Sequence, residues 1–201
     1  MLQDNMPKPR TIILASASPR RKELFAITGL KFKVDASEVA EDLGLRLSPP
    51  ALARRLSREK ARAVAGKYRN AVIIAADTFI VMGDKLLGKP HTEKEAIRML
   101  ETLNGKAHAV ITGYTVLDTA SGKITSRSVK TKVQFRKKTF SELRSYVKTR
   151  EPLDKAGAYA IQGIGSLFVK SIEGDYFNVI GLPLASLAET LNKFGISILS
   201  S

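Results

Sequence analysis

Val72-Ile-Ile-Ala-Ala-Asp-Thr-Phe-Ile-Val81 is apolar on both of the faces a strand presents, interrupted only at Asp77 and Thr78. Side chains alternate between the two faces of a strand, and a strand apolar on both lies in the middle of a sheet that is covered on each side. The pattern extends over 71–82, and Gly83-Asp84 turns it into a shorter partner. Upstream, the apolar run 11–15 reads as a second buried strand. Ser18-Pro19 then supplies an N-cap and a first-turn proline for a helix that carries Leu24, Phe25 and Thr28 on its stripe and stops at Gly29. A short strand at 32–34 follows, and Ser48-Pro49-Pro50 opens a long helix that runs to about residue 67. Downstream, Thr92 with Glu95 is a capping box for a helix closed by Gly105, and Thr139 with Glu142 repeats the signal before a helix to about 149. Between them, strand patterns at 107–118 and 123–135 flank a turn at Ser121-Gly122, as in a hairpin. A strand near 167–172 and a helix from Pro183 to Gly195 complete the chain. Strands and helices are interleaved with at least one hairpin, which predicts an α/β fold with a mixed, twisted sheet flanked by helices.

The chain has 201 residues, enough for one domain with a sizeable core, and it shows no repeat and no linker, so 1–201 is read as a single domain. It contains no cysteine, which excludes disulfides, thiol nucleophiles and cysteine zinc sites; His91 and His108 are too few and too far apart for a usual zinc cluster. No apolar run reaches bilayer length, and the start lacks the apolar segment of a signal peptide, so the expected location is cytoplasmic, with no membrane partner. The net charge of +14 points to an anionic partner. Residues 126–150 carry nine basic side chains against one acidic. Nucleic acid, a small polyphosphate and a merely solvated basic face are the three readings of that excess.

Several residues break local rules. Arg20 and Arg21 fall in the first turn of a helix, where exposed N–H groups already disfavour cations. A bound phosphate reverses that sign, with the hydroxyls of Ser16 and Ser18 as further donors; the bland alternative turns both arginines to solvent or to acids elsewhere. Lys60 lies on the apolar stripe Leu52, Leu56, Val64 of its helix, either snorkelling or facing a site. Asp77 places a carboxylate in a central strand, where an ionised acid needs a cation, a metal or good donors; a structural acid, a metal ligand and a general base all satisfy that need. Thr78 faces the other side of the sheet. The run from Gly83 to Lys89 matches a P-loop in spacing, but Pro90 stands where the motif needs a hydroxyl, and a hairpin turn replaces the strand-to-helix loop. Gly163-Ile-Gly165 lacks the third glycine of a dinucleotide fingerprint. The stretch 151–163 reads as a binding loop in which Gln162 offers a donor and an acceptor for a base edge. His108 is read as a structural histidine.

Ser16-Ala-Ser-Pro-Arg-Arg21, Arg58-Glu-Lys-Ala61, Ala76-Asp-Thr78, Gly88-Lys-Pro90, Leu103-Asn-Gly-Lys-Ala-His108, Asp154-Lys-Ala-Gly-Ala-Tyr159 and Gly181-Leu-Pro183 together resemble the Maf family of nucleoside triphosphate pyrophosphatases, in order, from about residue 11 to 195. The resemblance implies a fold related to the inosine triphosphate pyrophosphatases, with two lobes around a central cleft. It also implies hydrolysis of a nucleoside triphosphate to monophosphate and pyrophosphate with a divalent metal, Mg²⁺ or Mn²⁺. It places the catalytic acid at Asp77, phosphate binding at Ser16, Arg20, Arg21, Lys60 and Lys89, and base choice at Arg20, Thr78 and Gln162. Those three residues, with Ile161-Gln-Gly163 and Asp175-Tyr-Phe-Asn178, resemble the branch acting on dTTP and UTP rather than the branch acting on 7-methyl-GTP. Where the family often shows paired acids, this chain has Ala40-Glu-Asp42, and Glu41 is the expected second metal ligand. A homodimer suits the family. The competing readings are a CTP or 7-methyl-GTP pyrophosphatase, and a non-catalytic nucleic-acid-binding or septum-formation regulator.

Overall fold

The computed structural model describes residues 10–37, 39, 47–83 and 85–199. Among these, seven strands form one mixed sheet: β1 (Thr11–Leu14), β2 (Phe32–Val34), β3 (Ala71–Met82), β4 (Lys85–Leu87), β5 (Ala107–Asp118), β6 (Ile124–Phe135) and β7 (Val169–Glu173). Six α-helices accompany them: α1 (Pro19–Ala26), α2 (Pro49–Ala65), α3 (Glu93–Leu103), α4 (Phe140–Lys148), α5 (Tyr176–Ile180) and α6 (Leu184–Asn192). The strand order is β2-β1-β3-β5-β6-β7, with β4 paired to β3. β1 is parallel to β2 and β3, and the remaining pairs are antiparallel.

The predicted caps hold with one change. Ser18 accepts from the N–H of Arg21, and Thr139 and Glu142 form the full reciprocal box. At α3, Thr92 accepts from the N–H of Glu95, but the Glu95 carboxylate takes the N–H of His91 at 2.8 Å instead of that of Thr92. The segment after Gly83 is a β-hairpin, as its turn residues indicated. The last strand lies at Val169–Glu173, slightly later than expected, because Ile164–Phe168 winds into a 3₁₀ turn.

The core has two sides. On one face of the sheet α2 packs Leu52, Ala53 and Leu56 on Phe79 and Ile111, and Ala61 and Val64 on Ile13 and Ile73. Gly113 sets how closely this helix approaches, since a Cβ there would lie 2.2 Å from the Ala53 backbone. The opposite face carries two apolar clusters. One gathers Leu24 and Phe25 of α1 with Leu187 and Leu191 of α6 over β1, β3 and β5. The other gathers α3 and α4 with Ile80, Val110 and Phe135. No helix among the described residues is long and apolar enough to cross a membrane.

Candidate active site

From β1 the chain goes by α1 to β2 on one side and returns by α2 to β3 on the other, so the carboxyl end of β1 is a topological switch point, where open α/β sheets bind ligands. The strands also leave a gap there. β1 ends at Leu14, opposite Ile74, and β4 begins its pairing at Ile80, so among the described residues no strand pairs with this side of β3 between them. Because the Ile74 carbonyl points toward β1, accepting from the N–H of Ala15 at 2.7 Å, the alternation of the ladder turns the peptide groups of Ala76 and Thr78 to this open side. A cavity of about 400 Å³ enters at the gap, and both faces of β3 reach it.

Seven of the nine residues singled out in the sequence line this cavity: Ser16, Arg20, Arg21, Lys60, Asp77, Thr78 and Lys89. Gln162 is exposed and is not among the lining residues, although Ile161 beside it is. Glu41 lies outside the described residues.

Asp77 stands on the α2 side of β3, directly opposite Gly113 in the register. Lys60 descends from α2 and donates to Asp77 Oδ1 at 2.5 Å, with side-chain exposures of 12% for the lysine and 5% for the acid. Each charge compensates the desolvation of the other, which answers the two local anomalies at once. Thr78, on the other face, belongs to a directed chain. Arg21 Nη2 donates to Thr78 Oγ1 at 3.0 Å, the Thr78 and Thr112 hydroxyls meet at 2.9 Å, and Thr112 donates to the carbonyl of Asn178 at 2.9 Å. Arg21 Nε donates to the carbonyl of Gly181 at 2.9 Å and Nη1 to Ser16 Oγ at 3.4 Å. Its guanidinium therefore fastens α1 to β3 and to the turn after α5, a structural use that the helix-terminus reading did not include. Arg20 is half-buried, and burial draws its guanidinium below its usual value against the opposing pull of Asp154 above all; it stays a cation throughout the working pH range.

The loop 154–161 closes the far wall, contributing Asp154, Lys155, Tyr159 and Ile161. The sequence marked this stretch as a binding loop without giving these residues roles. Lys155 pairs with Asp154, and the N–H of Gly157 donates to the carbonyl of Gly88 at 2.8 Å, tying the loop to the segment that carries Lys89. Behind the wall, His108 Nε2 meets the Tyr159 hydroxyl at 2.8 Å, and burial lowers the histidine to about 4, so it is neutral and structural. Among the described residues no cluster of three or more His or acidic side chains is placed to hold a metal. The fit of a divalent cation therefore rests on the Asp77 carboxylate. One carboxylate with phosphate oxygens is a donor set that Mg²⁺ commonly uses.

Five cations, Arg20, Arg21, Lys60, Lys89 and Lys155, and the buried Asp77 carboxylate gather at the switch point of this mixed α/β sheet, a lining whose charge suits an anion. The family model described as Maf-like protein matches residues 11–194, and the chain belongs to that family. A relative from Desulforamulus reducens named dTTP/UTP pyrophosphatase is 47% identical, over 94% of this chain and 99% of its own. Relatives of the same name from Dictyoglomus turgidum (45% identical; 94% and 99%) and Moorella thermoacetica (46%; 93% and 96%) align as fully. The solved structure of the Staphylococcus aureus Ham1 protein superimposes with a TM-score of 0.46 at 12% identity over 63% of this chain and 72% of that one, a level at which the fold stands on its own topology.

Proposed function

We propose that this chain hydrolyses dTTP and UTP to the monophosphate and pyrophosphate. The observation that carries the reading is the gathering of Arg20, Lys60, Lys89 and Asp77 around one cleft, in a family whose closely aligned members carry that activity in their names. Water attacks the α-phosphorus: a new P–O bond forms, the bond from that phosphorus to the bridging oxygen breaks, and pyrophosphate leaves with the electron pair. Asp77 takes the proton of the attacking water, and Lys60, 2.5 Å away, fixes the orientation of the carboxylate. Arg20 and Lys89 offset the charge that builds on the leaving pyrophosphate, while Arg21 and Ser16 shape the turn that receives it. A divalent cation, Mg²⁺ or Mn²⁺, held by Asp77 and by Glu41, supplies Lewis acidity at the phosphoryl oxygens when bound. We assign base choice to Arg20 and Thr78 within the cleft and to Gln162 at its rim, one residue beyond Ile161.

A panel of nucleoside triphosphates with separate detection of pyrophosphate and orthophosphate tests the reading. Pyrophosphate and monophosphate from dTTP and UTP, with other nucleotides slow, are the expected products. Orthophosphate release, or a preference for purines or CTP, overturns it.

A further inference from the structure

The loop 154–161 lines the cleft, and none of its residues has a part in the steps above. Its conformation is tightly specified. Gly157 has φ +65°, and Ala158 follows at φ +60°, a left-handed backbone that a residue with a Cβ rarely adopts. Ile80 Cδ1 lies 2.4 Å from where a Cβ at 157 would stand, and the Gly157–Gly88 hydrogen bond holds the loop against the Lys89 segment. What this arrangement brings to the cavity lining is a lysine. The Lys155 side chain is only 15% exposed and lines the cleft, whereas its ion-pair partner Asp154 is 71% exposed. A carboxylate mostly in water is a weak counter-charge for a largely desolvated cation. Asp154 is also the foremost anion acting on half-buried Arg20. One largely exposed acid is thus shared between two cleft cations.

We propose that Lys155 is a further substrate-binding residue that grips the pyrophosphate part of the triphosphate, and that Asp154 is its internal counter-ion, displaced when that phosphate arrives. The inference rests on the polyphosphate reading of the cleft. The exchange is one of ion partners: a phosphate oxygen takes the place of the Asp154 carboxylate beside Lys155, and the carboxylate returns to water, where most of its surface already lies. Asp154 thereby weakens binding of the polyphosphate and favours release of pyrophosphate after the bond is broken.

The test compares Lys155→Met, Lys155→Arg and Asp154→Asn with the unmodified protein, reading kcat and KM for dTTP and the inhibition constants of pyrophosphate and dTMP. Lys155→Met should raise KM and the pyrophosphate inhibition constant together by about tenfold or more, leave kcat within about threefold, and leave dTMP inhibition unchanged. Lys155→Arg should restore most of the loss, and Asp154→Asn should tighten pyrophosphate binding several-fold, roughly the effect of removing one competing anion. Three results overturn the proposal: unchanged KM in Lys155→Met; equal weakening of dTMP, which assigns the lysine to the nucleoside end; or weaker pyrophosphate binding in Asp154→Asn, the mark of a pair that merely holds the loop. Calorimetry with inorganic tripolyphosphate reads the same contrast without turnover, so a protein inactive on every nucleotide still decides the question. The Asp154 variant keeps the lysine and gives an independent answer if Lys155→Met fails to fold.

Discussion

Replacing Asp77 by Asn preserves the shape of the side chain and removes its capacity to take a proton. The expected outcome is a fall in kcat of about a thousandfold with the fold intact, checked by pyrophosphate release and circular dichroism. Lys60→Met acts on the other half of the pair and strands a buried carboxylate, so it should cost stability as well as activity, on the order of 3 kcal/mol in urea unfolding. His108 titrates in a different way. Its native value of about 4 lies below the ordinary 6.5, so between those values the unfolded chain binds a proton that the folded chain refuses. Stability should therefore fall as pH drops from 6.5 to 4, by on the order of 3 kcal/mol, and His108→Phe should flatten this part of the unfolding profile relative to the parent. Asp77, Lys60 and the paired arginines were legible in the sequence because each violates a local rule that only a tertiary partner or an anion can satisfy. Lys155 was not. Beside Asp154 in a polar loop it violates nothing, and only its burial against the cleft sets it apart. The anchoring of Arg21 to Gly181 joins positions 160 residues apart, beyond any local rule.

At the level of elements, Gly113 has the largest predicted effect. A methyl group there meets the backbone of Ala53, which has no rotamer in which to escape, so Gly113→Ala should destabilise by about 1–3 kcal/mol. By lifting α2 it should also loosen the Lys60–Asp77 contact and lower kcat more than it raises KM, a split that steady-state kinetics and thermal unfolding together resolve. Thr139→Ala removes the side-chain half of the box at α4, leaving the Glu142 carboxylate on the backbone N–H of position 139, and should cost about 1 kcal/mol with no change in turnover. The long strands and capped helices were legible because their signals are periodic or lie within a few residues. The chain after Arg150 was less so. Its 3₁₀ turn is held by Glu151, whose carboxylate accepts from the N–H groups of Ile164 and Gly165 at 3.0 Å, and the five-residue α5 is too short to show a period. A side chain capping a turn more than ten residues away leaves no trace in spacing.

For the molecule as a whole, more than half of the net charge of +14 lies in residues 126–150, nine basic side chains against one acidic, carried by β6, α4 and the residues beside them. Several of the outer cations already have partners, Lys132 with Glu173, Lys138 with Glu142 and Arg127 with Glu189, all at or near the surface, where such pairs contribute little to stability. Their remaining influence is long-ranged: a positive field draws a tetra-anion toward the protein before any contact is made. Raising ionic strength from about 0.05 to 0.5 M should accordingly lower kcat/KM for a triphosphate several-fold and leave kcat nearly constant, since screening acts on encounter rather than on chemistry. A flat kcat/KM across that range would show that the outer charge plays no part in capture. The shortness of β1 has a different kind of consequence. Where that strand stops, Thr78, which lines the cavity, turns its main-chain donor and acceptor to the side of β3 that β1 has left. Polarity of this origin belongs to the backbone, so exchanging a neighbouring side chain leaves it in place.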